Sequence, residues 1–328
     1  FGLLLGDACG VPVEFSPREQ RDRDPVTGMR GYGCHHQPPG HWGDDGSLAL
    51  AHVAAFLDSG EWDPEAHMME FSAWYEKGKH SAGGRVFDIG ETTSRAILRH
   101  LSGHPWVACG CRGMYDNGNG SLMRVLPVAV RLRSAPATTR AYIMAEASAL
   151  THGHRRSELS CVYFGEICRA MLDGHDVEAA CQQALELTKP LHGEPEWSIL
   201  TRITGNGLFS LPRDQIRSTG YVVDCLEAAL WCAYRHTDFA DAVLEAVNLG
   251  GDTDTTAAVC GGLAGLRTGY SGLPEAWLEQ IPRRDAVTDL CNEFASLVLH
   301  AEPISTRIPK PSDKDQPHEN DRSRDSTL

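Results

Sequence analysis

Long apolar runs are absent from these 328 residues, and no stretch approaches the roughly 20 residues that a membrane-spanning helix needs. No secretory signal is visible either. The chain opens at Phe1, without Met, inside the apolar segment FGLLLGDACG, so the native N-terminus is expected upstream. Runs of lysine and arginine are also missing, and the formal net charge is -14, which argues against general nucleic-acid binding through a basic face. An acidic chain still accepts an anionic ligand where a metal ion or backbone N–H groups supply the local positive field. A disulfide framework is not indicated: the eleven cysteines are odd in number and irregularly spaced. Cys168, Cys232 and Cys260 fall within apolar helical patterns, as reduced thiols of a cytoplasmic protein would. The one close pair, Cys109 and Cys111, lacks a second pair at zinc-site spacing and reads as structural.

Period-two alternation is scarce, and no repeat of fixed length recurs. What the chain has instead is helical periodicity. DDGSLALAHVAAFLDSG, PEAHMMEFSAWYEKGK, TTRAYIMAEASAL, ELSCVYFGEICRAMLDG, DVEAACQQALELTK, DCLEAALWCAYRH and DFADAVLEAVNLG all place apolar residues three and four apart. VLPVAVRL is the best strand candidate, although Pro127 suits a loop entering a buried helix equally well. These features predict an all-α, compact single domain of about a dozen helices over residues 1–302. Ser16 to His41 has no periodicity and is expected to be a long surface loop. Residues 303–328 are polar, charged and proline-containing, the composition of a disordered tail.

Two acid clusters stand out. HWGDDGSLALA holds Asp44 and Asp45, and NLGGDTDTTAAVCGGLAGL holds Asp252, Asp254 and Thr255 ahead of a run of small apolar residues. Helix capping accounts for one acid in each cluster. It leaves the second acid facing a like charge with nothing positive between them. A pair of hard divalent cations, Mg²⁺ or Mn²⁺, would resolve that repulsion and could clamp a substrate oxygen or a water. Glu14 in LLGDACGVPVEF, Asp88 in FDIGETT, the glycine-rich NGNGSLMR and the THGH after an apolar helix are weaker signals. Each has an ordinary reading as a solvated loop residue, a cap, a turn or a helix end.

Taken in order, LLGDACGVPVEF, HWGDDGSLALA, FDIGETT, NGNGSLMRVLPVA, THGH, GYVVDCLEAALW and NLGGDTDTTAA resemble the motifs of the ADP-ribosylglycohydrolase family. They span residue 4 to about 270, and the WGDD and GGDTDTT pair is the most specific combination. The resemblance implies an all-α fold with a binuclear Mg²⁺ or Mn²⁺ centre. It implies hydrolysis at the anomeric ribose carbon of an ADP-ribosylated acceptor, with arginine favoured. It further implies Asp44, Asp45, Asp252, Asp254 and Thr255 as metal ligands, with Glu14, Asp88 and Asp254 as catalytic groups. Asn117, Gly118, Asn119, Gly120, Ser121 and His152 would hold the ligand, and Tyr221 and Tyr270 would stack at the adenosine end. Gly43 departs from the pattern, which has Thr or Ser there as a further ligand; a water would take that place. The implied partners are an ADP-ribosylated protein or small molecule and the ADP-ribose product, with no membrane and no general nucleic-acid binding. The alternatives are a non-catalytic ADP-ribose-binding protein of the same fold and a helical scaffold whose acids are only caps.

Overall fold

The computed structural model describes residues 1–205 and 207–304. Most of the expected 303–328 tail therefore lies outside the described residues. Fifteen α-helices occur among the described residues. They are α1 Gly2–Gly10, α2 Arg18–Arg23, α3 Asp44–Ser59, α4 Pro64–Lys77, α5 Glu91–Leu101, α6 Leu126–Arg131, α7 Ala137–Ala149 and α8 Arg155–Leu172. The rest are α9 Val177–Leu187, α10 Thr201–Thr204, α11 Val222–Arg235, α12 Phe239–Asn248, α13 Thr253–Thr268, α14 Glu275–Leu278 and α15 Arg284–His300. Isolated bridges replace sheets: Gly118 pairs with Tyr221, Cys111 with His152, and Tyr32 with Gln37. The all-α expectation holds, and every segment with a clear 3.6-residue pattern is a helix.

VLPVAVRL resolves as helix. Pro127 sits in the first turn of α6, where its missing N–H costs no hydrogen bond, and Val128 and Ala129 are buried. Residues 16–41 are largely irregular, as expected, but not free. Arg18 donates to the carbonyls of Leu249, Arg213 and Ile216, which ties the segment to the helical body. All eleven cysteines are free thiols, and Cys109 and Cys111 are buried.

The small residues of α13 exist to meet α1. The two helices run antiparallel with their backbones in contact. A Cβ on Gly2 would collide with the Gly261 carbonyl, one on Gly6 with the Ala257 carbonyl, and one on Gly10 with the Asp254 backbone. Removing side chains at four-residue spacing on one helix face is what permits such an approach. The antiparallel sense brings the end of α1, with Glu14 just beyond it, to the start of α13. Trp42, Phe56, Phe71, Trp74, Phe164, Trp231 and Phe239 fill the core around this pair and α3.

Gly6→Val is expected to destabilise the protein by about 3 kcal/mol, because neither backbone can retreat without opening the seam. Gly90→Ala, at φ -62° with nothing within 4 Å of the new methyl, should stay within about 0.5 kcal/mol of wild type. Urea denaturation of the two variants checks this; equal effects would mean that the α1–α13 seam is loose.

Candidate active site

Asp7 lies in the middle of α1 and is fully buried. Its Oδ1 accepts the Gly43 N–H and its Oδ2 accepts the Gly46 N–H, both at 2.8 Å. Asp7 thus caps α3 from a different helix, because the N-cap residue of α3 is Gly43 and has no side chain to do so. This releases Asp44 and Asp45, both in the first turn, from capping. Asp252 stands at the N-cap of α13 but makes no cap bond; its Oδ2 accepts from Asn119 Nδ2 at 2.9 Å. Asp254 Oδ1 accepts the Thr255 N–H at 2.8 Å.

Several carboxylate oxygens are left over. Both oxygens of Asp45, Oδ1 of Asp252 and Oδ2 of Asp254 have no hydrogen-bond partner among the described residues. Buried polar atoms are rarely left so, and a group of four such acid oxygens could hold a cation. Asp7, Asp45 and Asp254 offer oxygens that all lie within 4.8 Å of one another, as do Glu14, Asp252 and Asp254. Asp254 belongs to both triads. All-oxygen, anionic donors fit Mg²⁺, Mn²⁺ or Ca²⁺ rather than a soft metal. Two features differ from the sequence expectation. Asp44, though buried beside the triads, belongs to neither of them. Asp7, which sequence reasoning missed, belongs to one.

Glu14 follows the short 3₁₀ turn Val11–Val13 that ends α1, and its carboxylate bonds His35. The His35 ring packs near Phe15 and Phe87, with centroids 6.4 and 5.6 Å away. His35 was not foreseen; a lone histidine in a loop carries no periodic signal. Asp88 is not a cap, because α5 begins at N-cap Gly90. It adopts φ +50°, and its Oδ2 lies 3.9 Å from where a Gly43 Cβ would sit, so it lines the same cleft.

The Asn117–Ser121 loop borders the acids. Asn117 Oδ1 accepts from Ser157 Oγ, Asn119 N–H donates to the Gly220 carbonyl, and Asn119 also holds Asp252. A Cβ on Gly118 would stand 3.6 Å from His152 Nε2, and one on Gly120 would stand 2.9 Å from His152 Cε1. Glycine therefore lets the loop lie on the His152 ring. Ser121 faces inward, and its hydroxyl is 2.9 Å from Ser148 Oγ. Tyr221 borders a recess of about 450 Å³ with Met114, Tyr115, Asn117, Gly118 and Arg156. Tyr270 is not in the cleft. It follows the far end of α13, roughly 24 Å of helix from Asp252, and packs on Phe1 and Arg284. The expectation for Tyr270 is corrected accordingly: an aromatic was plausible there by type, but helix length places it on another face.

A family model described as ADP-ribosylglycohydrolase matches residues 1–303. This chain belongs to the ADP-ribosylglycohydrolase family. It is 34% identical to the ADP-ribosylarginine hydrolase Tri1 of Serratia proteamaculans (89% of this chain, 76% of the relative). It is 28% identical to the ADP-ribosyl-[dinitrogen reductase] glycohydrolase of Rhodospirillum rubrum (85% and 87%). A solved structure titled "ADP-ribosylglycohydrolase-related protein complex" superimposes with a TM-score of 0.76 at 31% identity, covering 90% of this chain and 95% of that one.

The electrostatics of this glycohydrolase cleft follow from its burial. Desolvation, followed by neighbouring carboxylates, pushes Asp44, Asp45 and Asp254 well above their ordinary value of 3.8. Burial raises Asp7 to about 7, partly offset by the two N–H bonds from Gly43 and Gly46. Burial also raises Glu14 to about 7, against the opposing pull of His35. Acids raised in the folded state bind more protons folded than unfolded, so they destabilise the fold as pH rises. With chelator, the melting temperature should fall as pH rises from about 4 through 7. Mg²⁺ should reverse the loss at pH 8 and have little effect at pH 5. Asp45→Asn should raise the chelated melting temperature at pH 8 and weaken the Mg²⁺ response. A flat pH profile, or a Mg²⁺ shift equal at both pH values, would contradict this account.

Proposed function

We propose that this protein is a hydrolase that removes ADP-ribose from an acceptor, with arginine as the favoured linkage and two Mg²⁺ or Mn²⁺ ions as its cofactor. One observation carries the reading: orphaned oxygens of Asp45, Asp252 and Asp254 gather beside a glycine loop backed by a histidine. The names of the relatives support the linkage, since two of them are ADP-ribosylarginine hydrolases at 34% and 35% identity. Bound ions would supply Lewis-acid polarisation of the ribose oxygens and of the attacking water. Asp45, Asp252 and Asp254 are the proposed ligands with Asp7, and Asp44 and Thr255 support them from the first turns of α3 and α13.

The remaining roles belong to the chain. The bond between the anomeric carbon and the acceptor nitrogen breaks, and a carbon–oxygen bond to water forms. Glu14 takes the water proton on its carboxylate and passes it to the departing nitrogen, so that the acceptor leaves as a guanidinium; the bond to His35 keeps that carboxylate aimed into the cleft. Asp88 pairs with the guanidinium leaving group, a charge-assisted contact suited to arginine. The backbone of Asn117, Gly118, Asn119 and Gly120 seats the diphosphate and distal ribose, with His152 beneath. Tyr221, half-buried at the recess, offers a face for adenine. Cytoplasmic residence fits the free thiols; no helix among the described residues is long and apolar enough to cross a membrane.

The test is ADP-ribose release from arginine-linked and serine-linked substrates with Mg²⁺, Mn²⁺ or chelator. Metal-dependent release from the arginine linkage is expected, with Glu14→Gln slower by about 100-fold or more and Asp252→Asn/Asp254→Asn inactive. Metal-dependent binding of ADP-ribose without release from either linkage would favour the binding-protein reading. Gly43→Ser has room, the nearest atom to its Cβ being Asp7 Oδ1 at 3.4 Å. It should lower the Mg²⁺ concentration giving half-maximal activity without lowering the melting temperature; an unchanged Mg²⁺ titration would remove position 43 from the ligand set.

A further inference from the structure

Arg124 is a guanidinium with no solvent exposure, and no carboxylate pairs with it among the described residues. It ends the 3₁₀ turn Leu122–Arg124, directly after the glycine loop. Its Nη1 meets His52 Nε2 at 2.6 Å, and its Nη2 donates to the Ala147 carbonyl at 3.0 Å and to Thr151 Oγ1 at 2.9 Å. The Phe71 ring lies under it, with its centroid 4.6 Å from Cζ. Burial lowers its pKa to about 9, so it stays charged at neutral pH.

An arginine only donates, and this fixes every proton around it. His52 Nε2 must accept, so His52 carries its proton on Nδ1 and donates to His67 Nδ1 at 2.9 Å. On the other side, Thr151 Oγ1 accepts from Arg124. The hydroxyl proton then needs an acceptor, and the partner available among the described residues is His152 Nδ1 at 2.8 Å. His152 Nδ1 therefore accepts, and the proton of the neutral ring sits on Nε2. Burial, the largest cause, pushes the His152 pKa down to about 3, which keeps the ring neutral. His152 is 2% exposed, and its side-chain hydrogen bond among the described residues is made by Nδ1, to Thr151. Its Nε2 faces the bare edge of the loop, within 3.6 Å of a Cβ built on Gly118 and 3.4 Å of one built on Gly120.

We propose that Arg124, acting through Thr151, locks His152 as an Nε2–H donor to the diphosphate of ADP-ribose seated on the Asn117–Ser121 loop. Arg124 and Thr151 are then positioning residues for anion binding. The assignment rests on the proposed hydrolase reading. The opposite tautomer would aim a lone pair at the phosphate oxygens, in a chain whose net charge of -14 already disfavours an anion.

The test combines nitrogen NMR of the ¹⁵N-histidine-labelled full chain with ADP-ribose titration. His152, assigned by difference against His152→Gln, is expected to show the Nε2–H tautomer without ligand. Thr151→Val should populate the Nδ1–H form and weaken ADP-ribose binding roughly tenfold. Thr151→Ser, which keeps the hydroxyl, should restore both. In turnover the Thr151→Val loss should fall on KM rather than kcat. An Nδ1–H tautomer in wild type overturns the lock. Thr151→Val with a lower melting temperature but an unchanged ADP-ribose Kd assigns Thr151 a purely structural role and overturns the proposal. Wild type that shows the Nε2–H tautomer yet fails to bind ADP-ribose overturns the donor role together with the hydrolase reading, whereas the tautomer spectrum reads the lock independently of either.

Discussion

Backbone contact between α1 and α13 is the constraint on which the other features rest. Glycines at 2, 6 and 10 remove the side chains that would hold the two helices at an ordinary separation. The antiparallel sense then decides which residues meet. Glu14, just beyond the end of α1, and Asp7, about one turn before that end, arrive beside Asp252 and Asp254 at the start of α13. Thr253 reinforces that end by donating its hydroxyl to the Gly10 carbonyl at 2.8 Å. A wider seam would separate the carboxylates, and a parallel one would place them at opposite poles of the domain.

The second constraint is how α3 begins. An isolated helix with Asp44 and Asp45 in its first turn would turn an acid back onto its own N–H groups. Asp7 does that work from outside and leaves the α3 acids with unused oxygens. The arrangement holds several carboxylates close together with little internal compensation, so without a bound cation the cleft opposes the fold at neutral pH. Strain of this kind is the expected mark of a functional site, where stability is given up for chemistry.

The helices were legible because an amphipathic 3.6-residue pattern survives in any context where one face is buried. VLPVAVRL was ambiguous because a short apolar run packs equally well in a strand or a helix, and only the fixed φ of Pro127 tips the balance. The acid pairs were legible as a candidate site because two neighbouring like charges demand an explanation. Asp7 escaped notice since a single acid in an apolar helix looks like an exception rather than a partner; its meaning lies in N–H groups 36 and 39 residues away. Glu14–His35 and Arg124–Thr151–His152 escaped for the same reason, being defined by contacts between distant segments. Tyr270 failed in the other direction. Its residue type suited a nucleotide, but counting helical rise from Asp252 already places it far from the cleft.

The seam also dictates when the cleft can exist. Gly10 and Thr253 are 243 positions apart, so the acids assemble only after loop closure across most of the domain. During synthesis α1 emerges long before α13, and its glycine face stays uncovered until α13 has left the ribosome. Any truncation product that ends before α13 carries Asp7, Glu14, Asp44 and Asp45 without their counterparts. Synthesis through α13 is thus the step that brings the acids together.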